Sequence, residues 1–370
     1  MLRFLIVQTA ASVVGLQCWM ILFNNFAVEI AGLDGLQVGI IGSVREIPGF
    51  LALLAVFVML VIREHRLSAL SIIFLGLGTA LTGLLPCFSG LIITTLIMSF
   101  GFHYYETTNQ SLTLQYFSTA TSPLIFGRLR SLAAATSIVV GLLLYLMGMV
   151  FSYKVMFLTI GGLVVAAGIW GLLQDPTHQQ VAPQHRKMIF RRRYSLYYFL
   201  TFMAGARRQI FIAFSVYLLV KVFHFTVTEI TLLFVVNNAV NFVLSPVIGR
   251  AIVRFGERWI LSIEYGGLIG VFLVYAFTDS KLLVVAMYIL DHILFNFAIA
   301  IRTYFQKVAD PADIAPSMAV GFTINHIAAV VMPAIGGALW MIDYRIPFVT
   351  GALLSLVSLL AVQRIPRFPQ

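Results

Sequence analysis

Gln174-Asp175-Pro176-Thr177-His178-Gln179-Gln180-Val181-Ala182-Pro183-Gln184-His185-Arg186-Lys187-Met188-Ile189-Phe190-Arg191-Arg192-Arg193-Tyr194 is the only long polar stretch in a chain of 370 residues. It holds Arg186, Lys187, Arg191, Arg192 and Arg193 against one acid, Asp175. It falls near the middle of the chain, with two apolar halves of similar length on either side. A basic segment between membrane spans belongs on the cytoplasmic side, and that placement orients everything else.

The composition agrees with a membrane. The chain is 60% hydrophobic and 10% charged, with a mean hydropathy of +0.97. A soluble domain carries nearer a quarter charged residues, so that class is excluded. Apolar runs of about 20 residues recur, each long enough to cross a hydrocarbon core of about 30 Å as a helix. Lipid admits only helices or closed barrels, and the short alternating strands of a barrel are missing, so the expected fold class is all-α integral membrane. The net charge of +10 is distributed by topology rather than for nucleic acid. Cys18 and Cys87 lie in apolar surroundings with no metal-ligand or redox spacing. The first apolar run is too long for a cleaved leader and reads as a retained span.

Working outward from the linker, the pattern predicts twelve transmembrane helices. The first half gives 4–30, 37–62, 67–86, 89–115, 129–150 and 153–173; the second gives 195–220, 228–253, 258–278, 282–305, 316–340 and 346–363. The expected organisation is a six-helix half at 1–173, the linker at 174–194, and a second half at 195–370. Cations test this layout. Seventeen fall on the expected cytoplasmic side: Arg3, Arg63, Arg66, Arg128, Arg130, the five of the linker, Arg250, Arg254, Arg258, Arg302, Lys307, Arg364 and Arg367. Only Lys154, Lys221, Lys281 and Arg345 fall outside. That asymmetry predicts both termini in the cytoplasm of a plasma (inner) membrane protein. The halves also repeat: a shift of 192 lays Gln17 on Gln209 and Arg66 on Arg258, and a shift of 188 lays Tyr116-Phe117 on Tyr304-Phe305. Two parallel six-helix repeats with a site at their interface describe a transporter.

The stretch Gly249-Arg250-Ala251-Ile252-Val253-Arg254-Phe255-Gly256-Glu257-Arg258 resembles the loop signature of the major facilitator superfamily, G-x-x-x-D-R-x-G-R-R. Gly249, Arg254, Gly256 and Arg258 match, while Val253 stands where the signature has aspartate. The equivalent first-half stretch keeps little beyond Arg63 and Arg66. With twelve spans and a basic linker, the resemblance covers essentially the whole chain. It implies two six-helix pseudo-symmetric halves, and a central cavity lined by the first, fourth, seventh and tenth spans. The antiporter signatures of the fourth and fifth spans are missing, which argues against a standard multidrug–proton exchanger.

Ionisable residues inside spans are costly and mark pathways or relays. In the seventh span Arg207 and Arg208, with Gln209, offer guanidinium groups suited to an anion, or to an internal ion pair. His103, Glu106, Gln110 and Thr113 share one face of the fourth span beside Tyr104. An acid and an imidazole one turn apart suit a proton relay, although a structural network would use the same residues. The tenth span has Asp291-His292 with Asn296, and Asp291 is the expected partner of Arg207 or Arg208 and a second proton carrier. Asn237, Asn241 and Ser245 form a stripe on the eighth span. Asn325-His326 precede Pro333 and Gly336-Gly337 in the eleventh, where a bend is expected. Arg45-Glu46 in the second span point to different faces, which calls for partners elsewhere or a wet vestibule, and they read as a gate. Gln17, Asn24 and Asn25 in the first span add polar lining.

The resulting expectation is a monomeric secondary transporter, not an enzyme, moving a small anionic or zwitterionic solute by alternating access with proton coupling. It calls for no cofactor, and no phosphate-binding loop suggests ATP drive. The second reading is a divalent-metal carrier using His103, Glu106, Asp291, His292 and His326. A lipid-acting membrane enzyme and a transport-dead receptor complete the alternatives.

Overall fold

The computed structural model describes residues 1–177, 181–185 and 187–366; Arg186 and Arg367 of the cation census lie outside them. The described residues contain helices and no strand. Twelve helical rods follow one another: α1 (Leu2–Ile30), α2 (35–58), α3 (Glu64–Thr82), α4 (Phe88–Tyr116), α5 (Ser122–Gly148), α6 (Tyr153–Leu172), α7 (195–221), α8 (Val227–Phe255), α9 (Glu257–Phe277), α10 (Lys281–Val308), α11 (Ile314–Ile342) and α12 (Arg345–Val362). Among the described residues ten of these are long and apolar enough to cross a membrane; α7 and α11 complete the twelve.

Local chemistry sets the ends and breaks. Asp34 caps α2 through the backbone N–H of Gln37 while the Gln37 side chain returns the bond, and Thr226 and Glu229 do the same for α8. Gly256 turns the chain between α8 and α9 at φ +78°, a conformation that suits glycine. Pro48 lies inside α2 and is followed by a 3₁₀ turn at Leu51–Leu54. A π turn at Phe211–Ser215 interrupts α7, and a 3₁₀ turn at Asn296–Ala298 interrupts α10. Several rods exceed the predicted spans. α3 is shifted instead, from Glu64 to Thr82 against an expected 67–86, and Glu64 in its first turn accepts from Gln115 Nε2 at 2.7 Å.

The chain gathers into two compact units. The first comprises Met1–Tyr116, Leu132–Ile189 and Pro311–Thr323; the second comprises Phe117–Ser131, Phe190–Asp310 and Ile324–Gln370. Neither is one sequence half cut at the linker: the start of α5 packs with the second unit and the start of α11 with the first.

In the first unit α3 packs against both α4 and α6 with almost no side chain between the backbones. A Cβ on Gly78 would stand 2.3 Å from the Met98 nitrogen, and one on Gly101 2.3 Å from the Leu75 nitrogen. On the other face a Cβ on Gly76 would stand 2.7 Å from the Val165 nitrogen and 2.8 Å from the Gly161 carbonyl oxygen. Lipid offers no hydrophobic drive between helices, so close backbone approach supplies the attraction. Aromatic packing fills the rest, with Trp19 stacked on Phe23 at 4.2 Å and Phe26 edge-on to Phe157 at 5.3 Å. The end of the linker also belongs here: His185 Nδ1 lies 2.7 Å from Asp313 Oδ1, and the His185 N–H donates to Ala312 O at 2.8 Å.

In the second unit α9 packs chiefly on α12, and α7 packs on α12 as well. Phe211, Phe214, Tyr275, Tyr288 and Phe348 form its core, with Trp340 against Phe214. The first turns of α5 lie against α8, where Gly127 and Gly249 let the backbones of Ser245 and Pro123 approach.

Candidate functional site

Arg207 and Arg208 part company. Both sit mid-way along α7, but a step of about 100° sends them to different faces. Arg207 is fully buried. Its Nη1 donates to Ser358 Oγ on α12, its Nη2 lies 3.8 Å from Glu264 Oε1 on α9, and its guanidinium stacks over the Tyr265 ring at 4.3 Å. Arg208 is exposed. The expected pairing with Asp291 is therefore corrected: Arg207 meets Glu264, because it turns toward α9 and α12. Glu264, seven residues into the ninth span, is the residue the sequence reading passed over. The cost rule applied to the other spans would have selected it.

Asp291 is buried in the same unit, close enough to Glu264, Tyr275 and Tyr288 for electrostatic interaction. Neither of its carboxylate oxygens has a hydrogen-bond partner among the described residues. His292, beside it in sequence, turns elsewhere, with Nδ1 3.0 Å from Tyr288 O and its ring edge-on to Phe211.

A second polar array forms where α10 breaks. Arg130 Nε on α5 donates to Asn296 Oδ1 at 3.0 Å. Asn296 Nδ2 in turn donates to Asn241 Oδ1 on α8 at 2.5 Å and to His292 O at 2.8 Å. The 3₁₀ turn beginning at Asn296 places this side chain between the two neighbouring helices. Arg130 entered the sequence reading only as a topological cation. The Asn237–Asn241–Ser245 stripe is split in role: Asn237 and Ser245 are buried, while Asn241 joins Asn296. Asn325 Nδ2 donates to Thr201 O at 3.2 Å and fills the space beside Gly205; His326 is buried. Gln209 is half-buried.

In the first unit the polar face of α4 divides. Glu106 accepts from Gln110 Nε2 at 3.0 Å, as the spacing of four predicts. His103 is instead buried between the ring edges of Phe102 and Phe322. Tyr104 donates to Leu51 O at 3.4 Å. Gln17 donates to Ser137 Oγ at 3.3 Å, and Asn24 is exposed. Arg45 and Glu46 correct a second expectation. Of the two alternatives, partners elsewhere is the one corrected: they pair with each other, Nη2 to Oε1 at 2.8 Å, since both side chains are long enough to fold back across neighbouring positions, and both stay partly exposed. Arg45 also lies over the Trp19 ring at 5.6 Å, and Ser99 Oγ donates to its carbonyl.

The loop residues act locally. Arg258 forks onto Gln363 Oε1 at the end of α12, at 3.1 and 3.0 Å, and Arg254 lies over Phe255. Gly249 and Gly256 provide the close approach and the turn already described.

The family model of the Major Facilitator Superfamily matches residues 5–301 and again residues 197–369. The chain belongs to the major facilitator superfamily. No curated protein sequence matches it. Solved structures of the superfamily do. The Escherichia coli fucose:proton symporter FucP superposes with a TM-score of 0.79 at 13% identity, covering 99% of this chain and 98% of that one. A bacterial homologue of the iron transporter ferroportin, in its outward-facing state, gives 0.78 at 14%, covering 98% of each. The human organic anion transporter MFSD10 gives 0.75 at 11%, again covering 98% of each. At such identities the likeness is one of fold. As a member of the superfamily, the chain is a multi-pass membrane protein with the fold of a secondary transporter.

Proposed function

We propose that the chain carries a small anionic or zwitterionic solute across the bilayer by alternating access, coupled to protons. It works as a monomer in the plasma (inner) membrane, with two six-helix halves and with both termini and the central linker in the cytoplasm.

One observation carries the choice of cargo. Arg208 stands thirteen residues from Ser195 and thirteen from Lys221, so at about 1.5 Å per residue it lies about 20 Å from either end of α7. Its side chain is exposed. A guanidinium cannot shed its charge and is costly against hydrocarbon, so at that depth an exposed one faces a wet path. Arg130, exposed eight residues into α5, adds a second cation held in position by Asn296. Fixed guanidinium groups in a wet path select carboxylate or phosphate. The superfamily neighbours, described as a fucose:proton symporter, a homologue of an iron transporter and an organic anion transporter, leave the fold neutral on cargo. The decision rests on these two side chains.

The test is thermal stabilisation of the purified protein by a panel of small carboxylates, inorganic phosphate, amino acids, cationic amphiphiles and divalent metals. A bound ligand raises stability as its concentration exceeds its dissociation constant. The expected result is stabilisation by an anion or zwitterion, lost in Arg208→Ala. Stabilisation by metals alone, retained in Arg208→Ala, would replace this reading with a metal carrier.

A further inference from the structure

The second unit contains an uneven set of buried charges. Arg207, Glu264 and Asp291, on α7, α9 and α10, are each 0% exposed. The set is one cation against two acids. Guanidinium stays protonated in proteins, so Arg207 neutralises one carboxylate only. Around it, Arg207 Nε and Nη2, both oxygens of Glu264, both oxygens of Asp291, and the hydroxyls of Tyr265 and Tyr275 lack hydrogen-bond partners among the described residues. Orphaned atoms on five neighbouring side chains mark a site whose charge is not balanced by hydrogen bonds, as buried polar groups otherwise are, and which admits a small charged occupant.

The geometry points to a single exchangeable proton as that occupant, held on Asp291 and required by the negative charge of Glu264. Three features favour a proton over a metal ion. Arg207 already stands 3.8 Å from Glu264 and would repel a second full cation. A proton binds one carboxyl oxygen and needs no shell of ligands. It also leaves the cluster neutral, which a fully buried group of charges requires. Among the described residues, Asp291 is met by Glu264 and Tyr275 on α9 and by Tyr288 on its own helix, while Arg207 on α7 and Tyr265 on α9 stand on the far side of the cluster, against Glu264 and Ser358, and His292 turns away toward Phe211. Arg207 bonds Ser358 and meets Glu264, which leaves Asp291 as the acid without a cation.

The inference deepens the proton-coupled reading by giving the coupling proton an address. Arg207 is adjacent in sequence to Arg208, so one turn of α7 presents one guanidinium to the proton site and the other to the solute. On α10, Asp291 precedes by five residues the Asn296 that holds Arg130. A proton entering or leaving Asp291 thus acts on two helices that carry the solute-facing cations.

The experiment is pH-jump infrared difference spectroscopy of the purified protein in lipid, which reads protonated carboxyl groups directly and needs no solute. The wild type is expected to show a protonated-carboxyl C=O band that disappears completely in Asp291→Asn. It should disappear in Glu264→Gln as well, because Arg207 and Asp291 then balance without a proton. Asp291→Glu should keep the band at a moved frequency, which controls for folding. A band that survives in Glu264→Gln overturns the shared-charge argument, and a wild type lacking any band that Asp291→Asn removes overturns the site. Loss of the band when sodium chloride replaces choline chloride at fixed pH overturns the proton in favour of a metal cation. Failure in any of these ways leaves the anion reading to be judged separately, by the stabilisation panel.

Discussion

Gly78→Ala should separate α3 from α4, and the size of the effect follows from the backbone approach. The added Cβ would stand 2.3 Å from Met98 N and 2.6 Å from Met98 Cα. Carbon contacts settle at about 3.5–4.0 Å, so the helices must part by about 1 Å. A gap of that size forfeits about a quarter to a half of each contact's attraction along the interface. Overpacking of this kind costs about 1–3 kcal/mol. Gly101→Ala meets the same interface from the other side, 2.3 Å from Leu75 N and 2.5 Å from Ser71 O. Because the first substitution opens space for the second, the double variant should lose less than the sum of the singles. Gly162→Ala is the control: nothing lies within 4 Å, and alanine in a helix interior gains up to about 1 kcal/mol over glycine. Thermal unfolding of the purified protein in detergent, followed by tryptophan fluorescence, reads all four variants. If Gly78→Ala unfolds no earlier than Gly162→Ala, close helix approach is not what holds the first unit together.

Three further outcomes are expected. Arg207→Met should cost about 3–5 kcal/mol by stranding Glu264, and adding Glu264→Gln should restore most of it; a double variant as unstable as the single would refute the pairing. Glu229 accepts from Lys281 Nζ at 2.8 Å and from both the N–H and hydroxyl of Thr226, which holds its carboxyl down at about 2 against an ordinary value of 4.5. A folded-state value below the unfolded one means stabilisation that is complete above about pH 4.5 and lost as pH falls toward about 2, so Glu229→Gln should flatten the unfolding midpoint through that window and nowhere above it. Gly256→Ala, forced to φ +78°, should destabilise the α8–α9 turn by about 1 kcal/mol in the same unfolding assay, and an unchanged midpoint would contradict the turn geometry.

The rods were readable because a lipid-crossing helix needs a long apolar run, and the linker at 174–194 stands out against such runs. Their ends were less so. Glu64 looks like a loop residue until Gln115 satisfies it, and that bond joins positions 51 residues apart. The site was legible as a set of costly residues but not as a set of pairs. Sequence spacing gives the angle between Arg207 and Arg208, yet not which of them turns inward, because that depends on Ser358 and Glu264 arriving from two other helices. Arg45 and Glu46 show the opposite failure, where helical geometry separates the backbones but long side chains close the gap. Arg130 was hidden by its own plausibility as a topological charge.

The 3₁₀ turn in α10 changes the phase of that helix. Asp291 and Arg302 are eleven positions apart, which in an unbroken α-helix would leave them about 20° from the same line. Three residues at about 120° each instead of 100° add about 60°, so the two side chains point about 80° apart. One rod can thereby bury an acid before the turn and lay a cation against Phe126 after it. Winding those three residues back into regular α-helix would swing one end against the other by a sixth of a turn and shorten the rod by about 1.5 Å, with no bend at all.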